Sequence, residues 1–297
     1  MSENRPILQM TGIHKRFPGV HALKGVDFRM FAGEVHALMG ENGAGKSTLI
    51  KVLTGVYSID EGAVEWEGRP FRPGSPLEAQ QAGISTVYQE INLCPNLSVA
   101  ENIFIGREPR KFGRISWKAM NRAAAALLEE RLNVKLDVTR PLESYSVAVQ
   151  QLVAIARALN ISARLLILDE PTSSLDRDEV NKLFEVMRHL KRQGLAILFV
   201  THFLDQVYEV SDRITILRNG QFVGEYPTAE LPRVELVQKM IGKDLDSLAN
   251  MPKRKTPSSG GERPFLQAAG LGRKGGVEPF DLAIGSGEIV GLAGLLG

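Results

Sequence analysis

Gly40-Glu41-Asn42-Gly43-Ala44-Gly45-Lys46-Ser47 follows the short apolar run Val35 to Met39. The eight residues satisfy G-x-x-x-x-G-K-[ST], a loop between a strand and a helix. Its glycines let the backbone wrap tightly, so that successive N–H groups turn toward phosphate oxygens at the helix N-terminus. Lys46 then reaches the β- and γ-phosphates, and the Ser47 hydroxyl is placed to ligate Mg2+. Thr48 continues the helix and belongs to the same nucleotide-contact set as Gly40 to Ser47. An ordinary Gly-rich turn is the bland alternative, and the full motif behind an apolar strand argues against it.

Working outward, Ile84 to Tyr88, Leu165 to Leu168 and Ala196 to Val200 are further apolar runs, too short for helices and without alternation. Such runs suit strands covered on both faces of a largely parallel sheet. Polar residues follow each one. Asp169 and Glu170 follow Leu168; the pair suits an acid that holds Mg2+ and a second that orients or deprotonates the attacking water. Gln89 follows Tyr88 and offers a neutral amide to the metal and the water. His202 follows Val200-Thr201 and can donate to a γ-phosphate. Alone, His202 reads as a structural histidine. In register with the other three, it marks one active edge.

Helical periodicity fills the intervals. Val180, Leu183, Phe184, Met187 and Leu190 recur at helical spacing before Gly194, and Ala123 to Leu132 reads the same way. Strand alternating with helix predicts an α/β domain over 5–245, with a helical subdomain at about 90–160. Segment 246–264, rich in Pro, Ser, Gly and Lys, reads as a linker. Beyond it, residues 281–297 match 27–43 at six of seventeen positions: Asp281, Gly287, Glu288, Leu292, Gly294 and Gly297. The order of strand, turn, strand and glycine favours duplication over chance. Residues 265–297 are therefore expected to begin a second, truncated copy.

Composition sets the outer bounds. The chain has 297 residues, 43% hydrophobic and 24% charged, which supports a sizeable core. Lys and Arg total 36 against 34 acids, so the balance gives no argument for a nucleic-acid partner. One cysteine, Cys94, cannot form an intrachain disulfide and fits a reducing compartment. No apolar stretch approaches the roughly 20 residues needed to span a bilayer.

The order of these elements over residues 5 to 245 resembles the ABC ATPase family. The resemblance implies a P-loop NTPase core with a mainly parallel sheet, an N-terminal antiparallel β part and the inserted helical subdomain. In that family a signature loop, Leu-Ser-Gly-Gly-Gln, precedes a helix. Here Tyr145-Ser146-Val147-Ala148-Val149 stands in its place and only Ser146 matches, although Ser146 also reads as a helix cap. The family's loop clamps the γ-phosphate held by the opposite cassette, so the departure implies a weak or altered composite site. Ser173-Ser174-Leu175-Asp176 resembles the loop that touches the facing cassette, with a helix cap at Asp176 as the plainer reading. Phe17, before Pro18-Gly19-Val20, sits where the family stacks an aromatic on adenine; a core phenylalanine is the alternative.

Phe17 to Val20, Glu41 to Leu49, the irregular signature loop and the apparent tandem arrangement resemble the sugar-importing branch. Val200-Thr201-His202-Phe203-Leu204-Asp205-Gln206-Val207 with Phe104-Ile105-Gly106-Arg107-Glu108-Pro109 looks closest to galactofuranose-type importer ATPases, with ribose, galactose and xylose importers as rivals. The resemblance implies ATP and Mg2+ as cofactors and ATP hydrolysis that energises monosaccharide import. The implied partners are membrane permease subunits, through them a periplasmic sugar-binding protein, and a second cassette in the full-length chain. It also implies a peripheral place on the cytoplasmic face of the inner membrane. A soluble ABC ATPase acting in DNA repair or translation without a permease is the alternative.

Overall fold

Burial on both faces explains why the central strands show no alternation. The computed structural model describes residues 5–89, 92–242, 264–273 and 277–291. The antiparallel pair β1 (Leu8–Phe17) and β2 (Val20–Met30) leads to β3 (Val35–Met39), whose five residues are all buried. The glycine loop then opens α1 (Lys46–Leu53). Next, β4 (Glu61–Trp66) and β5 (Arg69–Pro70) complete a four-stranded antiparallel sheet in the order β2-β1-β4-β5. After them come α2 (Pro76–Gln81) and β6 (Ile84–Val87).

The interval expected to be helical holds α3 (Val99–Phe104), a hairpin of β7 (Arg110–Lys111) and β8 (Arg114–Ile115), α4 (Trp117–Leu132) and α5 (Val147–Leu159). Two-residue strands are too short for any periodicity to betray them, which is why the hairpin was not foreseen. The first unit closes with β9 (Leu165–Asp169), α6 (Arg177–Arg192), β10 (Ala196–Val200), α7 (Leu204–Val210), β11 (Arg213–Arg218), β12 (Gln221–Pro227) and α8 (Arg233–Ile241).

Six strands form the main sheet in the order β12-β11-β3-β10-β9-β6. The ladders are parallel except that of β12 with β11. Successive residues serve opposite faces. Leu166, Leu168, Ile197 and Phe199 pack with Phe184 and Leu190 of α6, while Leu165, Ile167, Ala196 and Leu198 join α1 and the antiparallel sheet. Phe184 meets Phe199 edge-on, ring centres 6.0 Å apart. Full burial of each such ring contributes about 1.5–3 kcal/mol. A capping box fixes the start of α6: Asp176 accepts from the Glu179 N–H, and the Glu179 carboxylate accepts from the Asp176 N–H.

The second unit contains β13 (Leu266–Arg273) paired antiparallel with β14 (Val277–Ile284). Its internal geometry matches that of β1 and β2. Leu8 pairs with Met30 and the register shifts after Met10; Leu266 pairs with Ile284 and the register shifts after Ala268. The Gly12 N–H donates to Asp27 Oδ1 at 2.8 Å, as the Gly270 N–H does to Asp281 Oδ1 at 2.7 Å. The Phe31 N–H donates to Glu34 Oε1, as the Gly285 N–H does to Glu288 Oε2. The expected linker lies, apart from Pro264, outside the described residues, as do residues 292–297.

Candidate nucleotide site

Strand register sets the geometry of the site. Val200 of β10 pairs with Leu38 of β3 and with Asp169 of β9, and Val87 of β6 pairs with Leu168. The residues just beyond these ends therefore share the carboxyl edge of the sheet, where open α/β sheets hold their ligands. Gly40 to Ser47, Gln89, Glu170 and His202 all lie on it.

The loop after β3 is held from behind. Gly40 has φ 151°, and a Cβ there would overlap the Leu217 carbonyl oxygen of β11, so only glycine fits. Ala44 is buried, whereas Glu41, Asn42, Gly43 and Ser47 are exposed. Gly45 stands at the N-cap of α1 without a side-chain cap. The N–H groups of the first helical turn are thus available to an anion. Lys46 Nζ donates to the Gly40 and Glu41 carbonyls at 2.7 and 3.1 Å, lying along the loop. Burial lowers the Lys46 pKa, and the charges of Glu170 and Asp169 oppose that shift. Burial raises the Asp169 pKa; Glu170 adds to the rise, and Lys46 and Lys51 oppose it. The loop lysine and the acids after β9 act on one another.

Glu170 adopts φ 48°, a left-handed conformation that a non-glycine residue holds only when its surroundings impose it. Its N–H donates to the Val200 carbonyl at 2.8 Å, tying the end of β9 to β10. Glu170 Oε2 lies 3.2 Å from His202 Nδ1. Behind them, Gln206 of α7 accepts from Thr172 Oγ1 at 2.6 Å and from Thr201 Oγ1 at 3.4 Å. Gln206 braces both loops, and the sequence carries no signal for it beyond its nearness to His202. Gln89 is exposed past the end of β6.

Phe17 is half-buried, its ring 5.1 Å from Tyr57 in an edge contact. It lines an open cavity of about 680 Å³ with His21, Lys24, Gly43, Thr48 and Asn219. That cavity joins the aromatic ring to the glycine loop. The turn between β11 and β12 forms its far wall: the Gly220 N–H donates to the Ala44 carbonyl at 3.1 Å, and the Lys24 N–H donates to the Gly220 carbonyl at 2.8 Å. His21, Lys24, Asn219 and Gly220 were absent from the expected site because no motif links them to the loop. Ser146 and Asp176 sit elsewhere, as the N-caps of α5 and α6.

Comparison with known proteins agrees with this geometry. The family model described as ABC transporter matches residues 23–173. The chain is 54% identical over 295 residues to the galactofuranose transporter ATP-binding protein YtfR of Escherichia coli strain K12, covering 99% of this chain and 58% of the relative. It is also 54% identical to the fructose import ATP-binding protein FruK of Bifidobacterium longum, covering 100% and 58%. With the ribose import ATP-binding protein RbsA 1 of Rubrobacter xylanophilus it shares 49% identity, covering 99% and 57%. The chain thus spans somewhat over half the length of these relatives. Among solved structures, the ADP conformation of an ATP-binding cassette of an ABC transporter superposes with TM-score 0.71 at 29% identity, covering 80% of this chain and all of that one. A nucleotide-free cassette gives 0.68 at 26%, covering 84% of this chain and all of that one. With its glycine loop, paired acids and histidine on a single sheet edge, the chain belongs to the ABC transporter family of ATP-binding cassettes.

Proposed function

We propose that the chain binds and hydrolyses ATP with Mg2+ and that, as part of a tandem-cassette protein, it energises import of a monosaccharide through a separate membrane permease. The observation that carries the hydrolytic reading is Glu170 on the sheet edge shared with the glycine loop, its Oε2 3.2 Å from the His202 imidazole. Lys46 and the amides of residues 43 to 48 hold the phosphates, and Phe17 stacks on adenine in the cavity beside Gly43. Ser47, Asp169 and Gln89 are hard oxygen donors of the kind Mg2+ takes alongside phosphate and water. Among the described residues no group of three His, Cys, Asp or Glu gathers that could hold a metal ion. Held by those three oxygen donors, the cation would neutralise charge on the nucleotide's phosphates. Glu170 orients or deprotonates the attacking water, and His202 donates to the γ-phosphate.

The repeated register shift and side-chain bonds of β13 and β14 support a second cassette beginning after the linker. In that arrangement Ser146 and Asp176 face the nucleotide of the opposing copy, and Val147 in place of glycine weakens that contact. The relatives named above are transporter and import proteins for galactofuranose, fructose and ribose, which supports sugar import and leaves the permease-free alternative without support. Permease helices dock near Gln89, where a cleft of about 200 Å³ is lined by Gln80, Tyr88, Asn92 and Arg157. Sugar choice rests with the permease and a periplasmic binding protein, and the cassette works peripherally on the cytoplasmic face of the inner membrane. Reconstitution of the full-length protein with its permease and binding protein tests this. ATP hydrolysis should rise with one monosaccharide; turnover indifferent to every sugar and to the permease would refute the coupling.

A further inference from the structure

Two-residue turns between right-twisted strands need left-handed backbone at both central positions, a need met by Asn-Gly or Asp-Gly. In the β7–β8 hairpin those positions hold Phe112 at φ 52° and Gly113 at φ 77°. A bulky aromatic in left-handed backbone is an outlier, and such strain marks segments kept for something other than folding. The ring gains little from the fold, since Phe112 is 94% exposed, with Lys111 Nζ 5.6 Å from its centre.

The surroundings repeat the pattern. Ile105, Phe112, Ile115 and Trp117, all large and exposed, fall within thirteen residues. Arg107, Arg110, Lys111, Arg114, Lys118 and Arg122 are exposed among them, against the single acid Glu108. The segment 105–122 thus carries +5, in a chain whose net charge is +2. Glu108, already counted in that sum, turns its carboxylate to the Gly106 N–H at 2.8 Å. The hairpin is fixed at its root: the Ser116 N–H donates to the Pro109 carbonyl at 2.7 Å, and Arg107 Nη2 donates to Gln80 Oε1 at 2.9 Å. Gln80 also lines the cleft beside Gln89.

We propose that this hairpin is a lipid-contact element: Phe112 and Trp117 enter the headgroup region of an anionic bilayer while the flanking cations engage its phosphates. Aromatic residues interleaved with Arg and Lys match the composition of interfacial segments. The two isoleucines add aliphatic surface, which suits an acyl boundary and not the stacking of bases. Anchoring here would hold the cleft beside Gln80 at the membrane surface. The placement of that cleft rests on the transport reading; lipid binding by the hairpin does not depend on ATP chemistry.

The chain contains two tryptophans, Trp117 at 52% exposure and Trp66 at 6%, so Trp117 reports on insertion over a constant background. Vesicles of phosphatidylglycerol with phosphatidylcholine should float the protein, shift its emission to the blue and, with brominated acyl chains, quench it. Phosphatidylcholine alone should do none of these. Each cation near an anionic surface strengthens partitioning roughly fivefold, so R110Q/K111Q/R114Q, which removes three of them, should weaken binding about a hundredfold. Phe112→Asn removes the ring that would enter the headgroup region and should cost about tenfold. Because Asn suits the turn, that variant should melt no lower than the parent, and its ATP affinity should be unchanged. Loss of ATP binding in the parent protein would sink the nucleotide reading and leave this one standing. Flotation no better than with phosphatidylcholine, indifference to both variants, binding only to vesicles that contain the permease, or capture by single-stranded DNA without vesicle binding would each overturn the proposal.

Discussion

Gly220 offers the sharpest test of how the nucleotide site is assembled. It holds φ 78°, and a Cβ added there would lie 2.5 Å from the Ala22 carbonyl oxygen and 3.1 Å from its carbon. Backbone cannot yield as a flexible side chain does, so Gly220→Ala must push the turn after β11 away from β2 by close to an ångström. Left-handed backbone costs an alanine about 1–2 kcal/mol. The displacement also breaks the Gly220 to Ala44 or the Lys24 to Gly220 hydrogen bond, each worth about 1 kcal/mol. Together the loss is about 2–3 kcal/mol, or a Tm lower by roughly 4–12 °C for a unit of this size. Because the same turn backs Ala44 and walls the Phe17 cavity, ATP affinity should fall about tenfold, as a small misplacement of binding groups commonly does. Thermal unfolding with and without nucleotide, and calorimetric titration with ATP, measure the two effects. Asn219→Gly relieves left-handed strain next door and should leave stability the same or slightly higher. If Gly220→Ala melts with the parent and binds ATP as tightly, the turn does not support the loop and the reasoning fails.

Glu170→Gln should keep ATP affinity while phosphate release falls about a thousandfold, the scale of a lost general base; near-normal turnover would reassign the base. Lys46→Ala removes a charged donor worth about 1.5–3 kcal/mol and should weaken ATP binding by tenfold or more in calorimetry. Asp169→Asn should destroy Mg2+-dependent turnover yet raise the Tm of the nucleotide-free protein by roughly 2 °C, the usual trade at a strained functional group. The sign follows from its pKa, which burial raises. The favourable contribution of the protonated group is present below the ordinary carboxylate range and is lost as pH rises through the raised value, so the gain from Asn should vanish in acid. Replacing Val147→Gly, Ala148→Gly and Val149→Gln together should raise turnover of the full-length tandem protein while costing about 1 kcal/mol at the start of α5; unchanged turnover would show that Val147 does not limit the composite site.

The elements that the sequence determined by itself are those whose physics is local. The glycine loop must wrap within eight residues, so its spacing announces it. β3, β9 and β10 are covered on both faces, and their unbroken apolar runs announce that as well. Asp169, Glu170 and His202 follow those runs directly, and once the strands are parallel and in register, position along the chain becomes position on the sheet edge. The helix of α6 was legible from its apolar period and Asp176 from the cap it provides. What the tertiary structure alone decided depends on residues far apart in the chain. β11 enters the sheet beside β3 through the ladder that pairs Ile214 with Ala37, residues remote in the chain, and no sequence pattern encodes which neighbour a strand takes. That choice brings the Asn219–Gly220 turn behind Ala44 and beside Phe17, creating a wall of the cavity that no motif marks. The brace of Gln206 on Thr172 and Thr201 arises in the same way. The β7–β8 hairpin escaped notice for a different reason: two residues per strand carry no period, and Phe112-Gly113 is not the pair that normally signals such a turn. Chain-local constraints leave a trace in spacing and composition, whereas a contact across the fold constrains only the sum of many packing choices, and those become visible when the sheet order is known.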